Sequence, residues 1–228
     1  MESIIEVKDI SKEYKTGKII VKALDDVNFS IDKGQIVVLL GRSGSGKSTL
    51  LNIVGGLMNP DKGNVIIERE KIYGISDGKR ADIRNKKIGY IYQDINLINE
   101  LNIMENIRLP FDIAGKEYDI EYEREVIKML NLEERINFYP CQLSGWERQR
   151  AAIARALIKK PSIILADEPN GNIDFEAGKR LMKYVKMSNE KMNQTYFIVT
   201  HDYMWLDIAD SVFQLVDGKI TPYNKKEI

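Results

Sequence analysis

Cysteine and histidine are almost missing from this sequence: Cys141 and His201 are the only examples in 228 residues. A lone cysteine excludes an internal disulfide framework. With no second Cys or His at ligand spacing, Cys141 reads as a plain reduced thiol and not as part of a metal centre. Net charge is missing too, because 34 Lys and Arg balance 34 Asp and Glu. No electropositive field would gather nucleic acid or an anionic membrane surface. Long apolar runs are absent: Met1 to Ile10 alternates charged and apolar residues, without the stretch a signal peptide or spanning helix requires. The expectation is a protein that stays in the cytosol. Internal repeats and low-complexity linkers are also lacking. What remains is an ordinary folded composition, 43% hydrophobic and 30% charged, long enough for one large domain or two lobes sharing a core.

Ile4–Val7, Val27–Ile31, Ile36–Leu40 and Val65–Glu68 are short β-branched runs, punctuated by the turn signals Asp32-Lys33-Gly34 and Asp61-Lys62-Gly63. The N-terminal part is therefore expected to be strand-rich. From Leu101 to about Leu132 the spacing turns helical, with Val126, Ile127, Leu130 and Leu132 in a charged background. Mostly apolar strands return at Ile163–Ala166 and Tyr196–Thr200, as parallel strands covered on both faces require. The pattern predicts a parallel-sheet core, an N-terminal β sheet and an inserted helical lobe.

The apolar run Val37–Leu40 leads into Gly41-Arg42-Ser43-Gly44-Ser45-Gly46-Lys47-Ser48, and Thr49 to Ile53 continues as a helix. This is the phosphate-loop pattern. Glycines let the backbone wrap closely around a phosphate, while N–H groups and the helix N-terminus offer partial positive charge to its oxygens. Lys47 is expected on the β and γ phosphates, and the Ser48 hydroxyl on Mg²⁺.

A second apolar strand, Ser162 to Ala166, ends in Asp167-Glu168-Pro169. Two adjacent acids could form no more than an exposed turn, but a phosphate loop upstream gives them distinct roles. Asp167 joins the Mg²⁺ shell, and Glu168 polarises the water that attacks the γ phosphate. Leu143-Ser144-Gly145-Trp146-Glu147, running on to Leu157, has capping-box spacing between Ser144 and Glu147, so a helix should start there with its N-terminus facing an anion.

In this order and spacing the chain resembles the ABC ATPases over essentially its whole length, with Leu143 to Glu147 in the position of their signature. The resemblance implies an α/β fold of the P-loop NTPase class and ABC type: one domain over residues 1–228, with an N-terminal antiparallel β subdomain and a helical subdomain over roughly 94–158 inserted in a parallel-sheet core. It implies ATP and Mg²⁺ as ligands. Tyr14 is similar to the aromatic that stacks on adenine, although a strand-surface tyrosine would look the same. Gly41, Ser43, Gly44, Ser45, Gly46, Lys47, Ser48 and Thr49 would cradle the phosphates. Gln93 resembles the glutamine that contacts Mg²⁺ and relays nucleotide state to a membrane partner. Ser144, Gly145 and Glu147 would face the nucleotide held by a second subunit, and Asp174 would couple the two sites. His201 resembles the family's switch histidine, catalytic with Glu168 and Lys47. In such head-to-tail homodimers a monomer holds half of each site, so ATP favours the closed pair and hydrolysis opens it.

Two positions depart from the family pattern. Trp146 stands where a second glycine is usual: in a first helical turn glycine would serve close approach to phosphate, so the ring either crowds the ligand and slows hydrolysis or turns sideways onto a partner and leaves activity intact. The crowding alternative predicts that Trp146→Gly raises turnover. Asn170 replaces a common threonine.

Leu51 to Leu57, Glu105 to Pro110 and Ala166 to Asn172 are similar to the lipoprotein-releasing, macrolide-exporting and antimicrobial-peptide-resistance subgroup. That likeness implies a separate integral membrane permease, docked in the groove around residues 93–112, and a place on the cytoplasmic face of the cell membrane. Export of peptides, lipoproteins or drugs is one implied output. A switch that drives a cell-wall regulator without transport is another. A soluble ATPase acting on DNA or the ribosome fits less well, because those proteins usually carry tandem cassettes or long coiled-coil insertions.

Overall fold

A computed structural model describes residues 3–17 and 19–223. Met1 and Glu2, part of the N-terminal segment discussed above, and the two ends of the expected 1–228 domain lie outside the described residues. Two long strands, β1 (Ser3–Thr16) and β2 (Ile19–Asp32), pair antiparallel. They make a four-stranded sheet with β4 (Lys62–Ile67) and β5 (Glu70–Lys71), in the order β2-β1-β4-β5. The second sheet contains β3 (Ile36–Leu40), β6 (Ile88–Ile91), β7 (Ile163–Asp167), β8 (Thr195–Thr200), β9 (Ser211–Val216) and β10 (Lys219–Pro222). Its order is β10-β9-β3-β8-β7-β6. All neighbours in it are parallel except the β9-β10 hairpin.

The six-stranded sheet is buried on both faces, and its pleat sorts side chains into two cores. Val37, Leu39, Ile163, Leu165, Phe197 and Val199 point toward the four-stranded sheet and α1 (Lys47–Val54). Val38, Leu40, Ile164, Ala166, Ile198 and Val212 point toward the helices on the other side. Those helices include α3 (Ile103–Ala114), α4 (Ile120–Met129) and α5 (Gly145–Leu157), all between β6 and β7 in the chain, and α6 (Phe175–Met192) between β7 and β8. Among the described residues no helix is long and apolar enough to cross a membrane.

Several boundaries differ from the sequence reading. Lys62 and Gly63, read as a turn, open β4; Gly63 has φ +86°, and a Cβ there would collide with the carbonyls of Lys8 and Asp9. That close approach marks a bulge, where glycine looks like a turn residue to the eye. Glu68 leaves the strand at φ +48°. The helical stretch 101–132 is two helices, because Gly115 takes a left-handed C-cap after Ala114. The helix α2 (Asp77–Lys87) gives no signal in the sequence: Ile83 is its only buried residue, so its apolar face is too thin to give a period.

Candidate active site

The order β3-β8-β7-β6 brings the carboxyl ends of four parallel strands side by side, which is where open α/β sheets build their sites. The loop after β3 is the phosphate-loop segment. The loop after β7 carries the acid pair, the one after β8 carries His201, and the one after β6 carries Gln93.

The phosphate-loop segment enters α1 through Gly46, an N-cap residue at φ 100°. Only glycine reaches that conformation cheaply, and a Cβ there would lie 2.5 Å from the Ala23 carbonyl. Gly44 is also left-handed at φ 79°. No side chain caps α1, and its first turn has no acid, so the partial positive charge of the helix end is free. Burial of Leu50, Leu51, Ile53 and Val54 anchors the helix beneath the loop, each worth about 1.5–3 kcal/mol. Lys47 is buried and folds back over the loop, where its Nζ donates to the carbonyls of Gly41 (2.8 Å) and Arg42 (3.1 Å). The Ser45 Oγ is buried without a partner. Ser43 and Ser48 are exposed. Tyr14, on β1, reaches over α1: its hydroxyl lies 3.2 Å from the Thr49 hydroxyl and donates to the Met58 sulfur.

Glu168 is the centre of the arrangement. It is buried and sits at φ 41°, and its N–H donates to the Val199 carbonyl across the sheet edge. Its Oε2 accepts from the Thr200 hydroxyl (2.8 Å) and the His201 N–H (3.2 Å). Its Oε1 lies 2.9 Å from His201 Nδ1 and 3.5 Å from Lys47 Nζ. A carboxylate only accepts, so Nδ1 carries the proton and Nε2 is left to face solvent. A non-glycine left-handed backbone held by this many bonds is the kind of strain that clusters at functional sites.

Asp167 differs from its neighbour. Burial pushes its carboxyl above the ordinary value, and the hydrogen bond from the Ser48 hydroxyl pulls the other way. Its Oδ1 is buried with no partner. An orphaned carboxylate oxygen beside an exposed hydroxyl is a donor set that suits a hard divalent cation. Gln93 sits against a different part of the site. Its side chain borders Gly171, where a Cβ would come 3.3 Å from Nε2, and its carbonyl accepts from Asn172 Nδ2 at 2.7 Å.

The signature segment does not join this cluster within the chain. Ser144 and Glu147 form a reciprocal capping box at the start of α5. Glu147 Oε1 also receives Arg135 Nε at 2.7 Å. That guanidinium, together with the Ser144 N–H, holds the Glu147 carboxyl down to about 2. Gly145 has open space, with only the Asn172 carbonyl 3.9 Å from where its Cβ would be. Asp174 caps α6, its Oδ1 accepting from the Ala177 N–H at 2.8 Å.

Trp146 turns sideways, with one side of its ring on its own chain. The ring stacks on Tyr184 at 6.0 Å between centroids, and the guanidiniums of Arg150 and Arg180 lie 5.7 and 5.4 Å from it. Asn170 also has an account. Its Nδ2 donates to Asp202 (2.7 Å) and its Oδ1 accepts from the indole N–H of fully buried Trp205 (3.0 Å), tying the acid loop to the turn after His201. Thr200 was missed as a site residue although it precedes His201. Its hydroxyl is as close to Glu168 as any group, but a threonine ending a strand carries no signal by itself.

A parallel sheet whose strand ends gather a glycine-rich phosphate loop, a buried lysine and a paired acid defines the class of P-loop nucleoside triphosphatases. The sequence profile of the ABC transporter family matches residues 24–171. The chain is 42% identical over 223 residues to the ABC transporter ATP-binding protein MJ0796 of Methanocaldococcus jannaschii, covering 95% of each. It is 39% identical to the lipoprotein-releasing system ATP-binding protein LolD of Colwellia psychrerythraea, covering 97% of this chain and 87% of that one. The dimeric structure of the MJ0796 cassette superposes with a TM-score of 0.86 at 40% identity, covering 95% of this chain and 96% of that one. A post-hydrolysis dimer of MJ0796 bound to ADP and Pi also gives 0.86, at 38% identity over 96% and 99%. This chain belongs to the ABC transporter family.

Proposed function

We propose that this chain binds ATP and, paired head to tail with a second copy, hydrolyses it to drive a separate membrane permease from the cytoplasmic face. The observation that carries the reading is the meeting of Lys47, Thr200 and His201 on the Glu168 carboxylate, beside an uncapped helix N-terminus and the unpartnered oxygen of Asp167.

In this reading the loop N–H groups and the start of α1 take the phosphate oxygens. The Lys47 ammonium exchanges the Gly41 and Arg42 carbonyls for the β and γ phosphates, a charge-assisted contact in place of two neutral ones. Tyr14, at the rim of α1, stacks on the base. Glu168 accepts a proton from the attacking water, and His201, fixed through Nδ1, turns Nε2 toward the γ phosphate and orients that water. Thr200 keeps the carboxylate from rotating away. Phosphate and ADP leave, and the proton departs from Glu168. Ser48 and Asp167 would hold Mg²⁺, with Gln93 as a further ligand; bound there, the ion would neutralise developing charge on the phosphates.

Ser144, Gly145, Glu147 and Asp174 lie outside the cluster of their own chain. That supports a site completed in a dimer, and the dimeric MJ0796 relatives support it further. The lipoprotein-releasing relative supports release of lipoproteins as the output, with export of peptides or drugs the wider form of the same proposal. The groove bordered by residues 93–112 is the surface proposed to receive the permease.

ATP hydrolysis by the purified chain against protein concentration tests the reading, beside Glu168→Gln. The expected rate rises more steeply than linearly with concentration, and the Gln variant falls by about 10²–10⁴. A strictly linear rate would sink the dimer, and full activity in the Gln variant would sink the role of Glu168.

A further inference from the structure

The groove between α2, β6, α3 and α5 encloses about 510 Å³. Its rim is apolar: Leu57, Ile98 and Ile113 are 49%, 38% and 75% exposed. Beneath that rim the lining contains three cations, Arg84, Arg155 and Lys159, and no Asp or Glu.

Each of the three is held by neutral carbonyls. Lys159 Nζ donates to Asn85 (2.5 Å) and Ile88 (3.3 Å). Arg155 donates to Asn96 (2.8 Å) and Ile95 (3.2 Å), and Arg84 to Gly56 (3.0 Å). These bonds fix the cations in place without balancing their charge. The contrast lies on α3 itself, where Arg108 meets Glu123 through two bonds of 2.7 and 2.8 Å. Burial, with the nearby Lys116 charge, pulls the Lys159 ammonium down to about 8, the direction expected of a cation short of a counter-ion.

We propose that this groove receives an amphipathic segment of the permease that seats apolar side chains on Ile113, Ile98 and Leu57 and directs a carboxylate at Lys159 and Arg155. This rests on the reading that a permease docks here, and adds the chemistry by which it is recognised. An apolar face alone would fit many helices. A half-buried cation under an apolar rim disfavours a segment that lacks an acid at that point, since docking would desolvate the charge and leave it unpaired.

The test titrates the full chain against the detergent-solubilised permease of its own transport system. Ile113 is the informative position, because its exposure lets either charge be introduced without unfolding the chain. Ile113→Glu weakens binding by about tenfold or more, and Ile113→Lys by less than about threefold. Lys159→Gln weakens binding as well, with thermal melting as the control for folding. Neutralising the matching acid of the permease then adds little to Lys159→Gln, as a double-mutant cycle requires of a direct pair. Equal loss with Glu and Lys at 113, or additive losses across every permease acid, overturns the proposal alone. A wild-type chain that hydrolyses ATP yet holds no permease overturns the docking reading, and this inference with it.

Discussion

Two helices begin in the segments read as facing phosphate, and their first turns are built in opposite ways. The N-terminus of α1 is vacant: a left-handed glycine at the cap, no capping side chain and no acid in the first turn. The N-terminus of α5 is full. Ser144 accepts from the Glu147 N–H, Glu147 accepts from the Ser144 N–H, and its carboxylate sits on the helix end with Arg135 behind it. A vacant terminus offers N–H groups and positive potential to an incoming anion. A filled one is stable by itself and contributes position more than charge. In the proposed dimer the difference separates the end that would take phosphate from the end that a partner would carry toward it.

The largest expected effect comes from removing the charge behind the vacant terminus. Lys47→Ala lowers ATP affinity by about a hundredfold or more, since it deletes a charge-assisted contact worth about 1.5–3 kcal/mol and leaves the Glu168 carboxylate uncompensated beside the phosphates. Ser144→Ala removes only a cap, costing about 1 kcal/mol of stability and leaving ATP affinity of the unpaired chain unchanged. Fluorescent-nucleotide titration checks both. Equal losses of affinity in the two variants would erase the distinction between the helices.

Trp146→Gly tests the filled terminus from its side. The expectation that glycine raises turnover depended on a ring aimed at the ligand. The ring instead lies on Tyr184, Arg150 and Arg180, on the flank that faces α6. Losing the stack and the cation–π contacts, and placing glycine in a helix, costs about 1–3 kcal/mol of stability, with turnover changed by less than about twofold. Thermal melting and steady-state hydrolysis on one preparation read the two quantities. A turnover several times higher with unchanged melting would restore the crowding alternative.

How much of this was legible follows from what each residue signals alone. Gly41 to Ser48 was legible as a motif, because glycine spacing before Lys and Ser serves few other purposes, and the structure sets Gly41 to Gly46 in the loop between β3 and α1, with Lys47 and Ser48 opening the helix. Asp167 and Glu168 were legible as a pair only after a phosphate loop had been found upstream. Their unequal surroundings became visible only in three dimensions, Ser48 for one and Thr200 with His201 for the other. The direction of the Trp146 ring was closed to sequence, since α6, on which it rests, follows about thirty residues later. The groove cations were equally hidden. Arg84, Arg155 and Lys159 are scattered along the chain, and only the placement of α2 and β6 beside α5 gathers them.

The smallest expected effect isolates the carboxylate that fills α5. Glu147 is held at about 2 in the folded chain against an ordinary 4.5. A depressed carboxyl adds stability that is fully present above the unfolded value and is lost as pH falls through the folded one, so its share disappears between about pH 4.5 and about pH 2. Other acids decline over part of the same range, because Lys12 holds Asp61 low and Lys160 holds Asp119 low. The part belonging to Glu147 is therefore a difference. Glu147→Gln keeps an acceptor for the Ser144 N–H while removing the charge on Arg135 and on the helix end. Wild type should melt higher than the Gln variant at pH 7, and the gap should close as pH falls toward about 2. A gap that stays constant across that range would mean the capping hydrogen bonds alone hold the terminus. The carboxylate would then be free to answer to a partner's nucleotide, and the contrast between the two helix ends would lose its electrostatic half.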